Sequence, residues 1–132
     1  MTRLGRIFLG LLFACAAVTA QAQTYPSRPI RLIVSIAAGS VTDVIVRKAT
    51  MELSPQLGQP IIIENRGTAS GIIAAQACAQ ARPDGYTLCV LHPDAMSYNP
   101  LHFVNLPYDP ATDFVPVTRL YFINEGLFVS SA

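Results

Sequence analysis

The chain has 132 residues, of which 52% are hydrophobic and only 13% charged, with a formal net charge of +1 and three cysteines. That composition is foldable and excludes a disordered tail, and the length sets a ceiling of one ordinary domain. The charge balance gives no basic surface of the kind nucleic acid requires.

Arg3 and Arg6 precede an apolar run from Ile7 to Leu12, small residues follow at Ala14, Ala16 and Ala17, and Ala20-Gln21-Ala22 closes the stretch. This order reads as a secretory signal peptide over 1–22, cleaved after Ala22. The run is too short for a membrane span, which needs about 20 apolar residues. A lipoprotein signal is the competing reading, because Leu12-Phe13-Ala14-Cys15 puts a cysteine behind a small residue. Export would place residues 23–132 in an oxidising compartment. Even so, Cys78 and Cys89 are expected as buried free thiols, since they fall inside a predicted helix and a predicted strand. Their spacing fits no zinc pattern.

Thr24 to Pro29 is a proline-punctuated lead-in, and Ile30 to Ile36 is a β-branched run suited to a strand buried on both faces. After the turn Ala37-Ala38-Gly39-Ser40, the residues Val41, Ile45, Ala49, Leu53 and Leu57, with Val44 beside them, predict the buried face of a helix ending near Gly58. Pro60 to Glu64 predicts a second strand, Asn65 to Ser70 a polar loop, Gly71 to Ala81 an alanine-rich helix, and Tyr86 to Leu91 a third strand. Strands alternating with helices imply α/β architecture, a parallel sheet with right-handed crossovers. Beyond His92, Pro107, Pro110 and Pro116 interrupt a loop region. Val117 to Asn124 and Leu127 to Ser131 then predict two further strands around Gly126.

Several tags recur in one order along the chain. Tyr25-Pro26-Ser27-Arg28-Pro29-Ile30-Arg31 is followed by Gly39 with Thr42-Asp43, by Leu57-Gly58-Gln59-Pro60 and by Glu64-Asn65-Arg66. Then come Pro83-Asp84-Gly85-Tyr86-Thr87-Leu88, Asn99-Pro100, and Leu106-Pro107-Tyr108-Asp109-Pro110 with Asp113-Phe114 and Pro116-Val117. In this order and spacing the sequence resembles the Bug family, the TctC-like receptors of tripartite tricarboxylate transporters. The resemblance implies the amino-terminal lobe of a periplasmic-binding-protein fold that closes on a small carboxylate solute and passes it to transporter membrane subunits. It also places the end of the sequence near the crossing strands. A partial lobe with the second lobe missing is therefore expected, with impaired binding. A non-functional gene remnant and an exported enzyme using the same crevice are the alternatives.

In an open parallel sheet, ligands gather at the carboxyl ends of the strands, where loops run into helix starts with free amides. The loop after the first strand is the first candidate. Gly39 would allow close approach of backbone, and Ser40 and Thr42 carry hydroxyl donors. By resemblance, solute-carboxylate binding is carried to Ala38, Gly39, Ser40, Thr42 and Asp43. Ser40 with Asp43 is equally a capping box. The family's usual proline, aromatic, proline and second glycine are replaced here by Ser35, Ile36, Ala37 and Ser40, so a less rigid loop with different ligand contacts is expected.

The loop from His92 to Pro100 is the second candidate, through Ser97 and Asn99, although Asp94 disfavours a carboxylate unless it turns outward. The third lies at the start of the second helix, through Thr68 and Ser70. Arg66 there is expected to pair with Glu64 or Asp84 rather than to clamp a ligand. His92 and Asp94 lack a third metal ligand, and His102 reads as surface. The sequence has neither a nucleophile elbow nor a phosphate-binding glycine signature, so catalytic residues and cofactors are expected to be none.

Overall fold

The computed structural model describes residues 24–122 and 129–130. The predicted signal peptide, and most of the predicted strand Leu127 to Ser131, lie outside the described residues. Three parallel strands, β1 (Ile30–Val34), β2 (Ile61–Asn65) and β3 (Thr87–Val90), form a sheet in the order β2-β1-β3. Ile33 of β1 lies opposite Glu64 of β2 and Cys89 of β3. As the central strand, β1 is the buried one: Ile30, Leu32, Ile33 and Val34 are all core residues. This is the expected consequence of an apolar strand covered on both faces.

The first crossover helix, α1 (Val41–Leu57), is capped by Ser40 and ends at Gly58 in a left-handed conformation. It covers one face of the sheet through Val46, which packs with Leu32 and Val34 and is flanked by Ile61, Ile63, Leu88 and Val90. The predicted helical face is rotated from the observed one. The buried positions are Thr42, Asp43, Val46 and Thr50, whereas Val41, Val44 and Leu53 are exposed. Polar residues can line the inner face because their hydroxyls are satisfied locally: Thr50 Oγ1 donates to the Arg47 carbonyl at 2.9 Å, and Ser54 Oγ to that of Thr50 at 2.7 Å.

The second helix, α2 (Ile72–Ala79), lies on the opposite face and enters through a 3₁₀ turn, Ala69–Gly71. Its alanines bring the backbone close. Ala75 clusters with Ala95 and Tyr108, with Ile72, Leu91, Leu106 and Phe114 around them. That approach overturns the free-thiol expectation: Cys78 of α2 and Cys89 of β3 form a disulfide with Cα atoms 6.3 Å apart. Two cysteines in different elements can pair when the helix sits directly above the strand, as happens here.

After β3 the chain is more helical than the expected loop. Asp94–Tyr98 is a π-helical turn that runs into a short helix, α3 (Asn99–His102). From Val117 to Phe122 the chain forms no strand, so the described part of the strand predicted for Val117 to Asn124 is corrected to irregular backbone. It carries no ladder partner among the described residues.

Candidate functional site at the carboxyl rim of the sheet

Two of the sequence tags act as one structural unit at the far end of the sheet. Tyr25 Oη donates to the Gly85 carbonyl at 2.7 Å, the Ser27 amide donates to Tyr86 Oη at 2.9 Å, and Arg28 pairs with Asp84 at 2.8 Å while lying 4.0 Å above the Tyr86 ring. The bonds from Ser27 hold the Tyr86 phenol below its usual range. This clasp closes the amino ends of the strands and leaves the carboxyl ends for a ligand.

At the carboxyl rim, three loops meet. A hollow of about 310 Å³ is lined by Ser35, Ile36 and Ala37 after β1, by Gly67, Ser70 and Gly71 after β2, and by His92 and Asp94 after β3. A neighbouring hollow of about 410 Å³ shares Ser70 and Asp94 and adds Tyr98, Asn99, His102 and Phe103. Volumes of this order suit small metabolites.

The loops are held together by main chain and by one polar network. Gly67 lies so close to the Ile36–Ala37 peptide that a side chain there would overlap backbone atoms. Asp43 is buried, and its carboxylate accepts from Arg47 Nε at 2.8 Å, from the Gly39 amide at 2.8 Å and from Asn65 Nδ2 at 2.8 Å. Those donors, Arg47 first, lower its pKa to about 2. Asn65 Nδ2 also donates to the Ile36 carbonyl at 3.1 Å, so this amide ties the end of β2 to the loop after β1. The Ser40 hydroxyl accepts from the Asp43 amide at 3.2 Å, but the reciprocal arm reaches Gly39 instead of Ser40. The capping box is thus shifted by one residue.

The predicted ligand residues fall into two groups. Ser70 lines both hollows and Asn99 lines the second. Asn99 is buried, and its Nδ2 donates to the Ser70 carbonyl at 2.9 Å. Ala38, Gly39, Ser40, Thr42, Asp43, Thr68 and Ser97 line neither hollow. The Asp43 carboxylate is committed to internal donors, and Thr42 Oγ1 lies 2.6 Å from Tyr121 Oη. Besides Ser70, the first hollow is lined by Ser35, Ile36, Ala37, Gly67, Gly71, His92 and Asp94. Ala37, Gly67 and Gly71 fall within the loops singled out from the sequence, whereas Ser35 and Ile36 are read there as strand; β1 stops at Val34, so the crevice opens two residues earlier.

Asp94 stays at the site. It lines both hollows, and its carboxylate lies 3.8 Å from His92 Nδ1, too far for a hydrogen bond. Arg66 is engaged with Glu64, its Nε donating to Glu64 Oε1 at 2.6 Å, as expected. Arg31 and then Arg66 hold the Glu64 carboxyl below the usual range. His102 is exposed, and no group of three metal-ligating side chains occurs among the described residues.

A parallel α/β lobe whose strand-end loops converge on an open hollow has the fold of one lobe of the periplasmic-binding-protein class. The chain belongs to the tripartite tricarboxylate transporter receptor family, TctC, whose model matches residues 45–132. Among curated relatives, a UPF0065 protein of Bordetella bronchiseptica is 46% identical over 121 residues, 92% of this chain and 36% of the relative. Protein BugT of Bordetella pertussis is 39% identical over 123 residues, 91% of this chain and 37% of the relative. Of solved structures, MatC from Rhodopseudomonas palustris with bound malate matches with a TM-score of 0.65 and 42% identity, over 70% of this chain and 32% of that one. A second R. palustris structure, with adipate, gives 0.63 and 38%, over 67% and 29%. The chain therefore spans about a third of the length of the curated relatives it matches.

Proposed function

We propose that this chain supplies the amino-terminal wall of an extracytoplasmic receptor that captures a small carboxylate for a tripartite tricarboxylate transporter, without covalent chemistry. The observation that carries the reading is the convergence of three strand-end loops on one hollow at the carboxyl rim. Among the described residues the amides of Ala37, Gly67 and Thr68 donate no hydrogen bond within the protein. Unpaired amides at strand ends accept an anion readily. The solved relatives bound to malate and adipate give the ligand class.

In this reading Ser70 contributes a hydroxyl and the loops after β1 and β2 contribute main-chain donors. Asp43 positions the loop of Ala38, Gly39 and Ser40 instead of touching solute. Thr42, Thr68, Ser97 and Asn99 remain candidates whose contacts would form on closure against a facing wall. Residues 1–22 act as the export signal, and the mature chain works in the periplasm with the transporter's membrane subunits as partners.

The test is calorimetric or NMR titration with malate, adipate and citrate. One wall buries much less of a ligand than two, so millimolar binding is expected from these 132 residues, about −4 kcal/mol. Turnover of a carboxylate ester would refute the receptor reading. The mass of the exported protein's amino terminus tests cleavage after Ala22.

A further inference from the structure

Seven carboxylates lie among the described residues: Asp43, Glu52, Glu64, Asp84, Asp94, Asp109 and Asp113. Six of them accept hydrogen bonds within the protein. Asp94 accepts none among the described residues, and the His92 imidazole Nδ1 lies 3.8 Å from its carboxylate. It is also the residue, with Ser70, that both hollows share. An unspent carboxylate acceptor therefore stands between two differently furnished spaces.

On one side are Ala37 and Gly67, whose amides donate no hydrogen bond among the described residues, and the Ser35 and Ser70 hydroxyls. Ser35 Oγ already accepts from the His92 amide at 2.9 Å, so its own proton is free to donate. This side suits a carboxylate. The other side offers Tyr98 and Phe103, both about half exposed, as an apolar wall. A second carboxylate reaching past Asp94 would meet a like charge, whereas an ammonium group would satisfy it.

Resting on the receptor reading above, we infer that Asp94 is a specificity residue. It selects a monocarboxylate bearing a vicinal cationic amine and an apolar or aromatic side chain, an α-amino acid, over a plain dicarboxylate. The carboxylate occupies the amide side, the ammonium donates to Asp94, and the side chain lies against Tyr98 and Phe103.

The experiment titrates the ¹⁵N-labelled chain with L-phenylalanine, with 3-phenylpropanoate, which differs only in lacking the amine, and with malate. Phenylalanine is expected to bind about tenfold tighter than 3-phenylpropanoate, the scale of one hydrogen bond to a charged group. Asp94→Asn should bring that ratio close to one and strengthen malate binding, while Asp94→Glu should keep the preference. A thermal midpoint for each variant separates lost recognition from lost folding. Equal or tighter binding of 3-phenylpropanoate, or an unchanged ratio in Asp94→Asn, overturns the inference. Binding of malate alone overturns it while leaving the receptor reading intact, and binding of none of the three overturns both.

Discussion

Gly67 lies against the Ile36–Ala37 peptide, so the loops that follow β1 and β2 touch main chain to main chain. Nothing larger than hydrogen fits between them, and the contact brings the two sets of amides to one hollow. Gly67→Ala is expected to force the loops apart at a cost of about 1–3 kcal/mol, the scale of an overpacked interior. Urea denaturation would measure the loss. Amide shifts of Ala37 and Thr68 would report the displacement.

Asp43 makes stability depend on pH at the acid end. Its folded pKa of about 2 is below the ordinary 3.8 because Arg47, Gly39 and Asn65 all donate to the charged form. A depressed carboxyl contributes stability that is fully present above its ordinary pKa and is lost as pH falls towards its folded value of about 2. Glu64, depressed by Arg31 and Arg66, adds in the same direction. Denaturation between about pH 5 and 2 should show falling stability, and Asp43→Asn should flatten that slope.

The disulfide between Cys78 and Cys89 closes a short loop around the Pro83-Asp84-Gly85 turn. Its reduction should cost about 2–4 kcal/mol. Thermal melting with and without a thiol reductant checks this, and a double serine variant should melt like the reduced protein. An unchanged midpoint would show that packing of α2 alone holds the element.

Asn99 is buried where the second hollow meets the core. It donates to the Ser70 carbonyl, and its Nδ2 is 3.4 Å from Tyr108 Oη, which itself donates to the Ala95 carbonyl at 2.6 Å. Asn99→Ala would strand these groups, with an expected loss of about 1–3 kcal/mol. Ligand affinity extrapolated to the folded fraction separates this structural loss from a direct contact of Asn99 with solute.

Sequence alone determined the order of elements, since the β-branched run at Ile30 to Val34, the Ser40 cap, the Gly58 stop and the Pro83-Asp84-Gly85 turn are local signals whose meaning depends on backbone preference. The tags themselves were legible as a pattern, though not as pairs: that Tyr25 clasps Gly85, or that Tyr108 seals Ala95, requires residues distant in the chain to meet. Periodicity misjudged the inner face of α1, because the sheet accepts Thr42 and Thr50 there once local carbonyls or partners satisfy their hydroxyls. It also gave no hint that Cys78 stands over Cys89. The site was legible to the level of three loops. Which of their residues face the hollow was decided by two facts of assembly, the early end of β1 and the contact of Gly67 with its neighbour, and both are properties of packed strands that no single segment encodes.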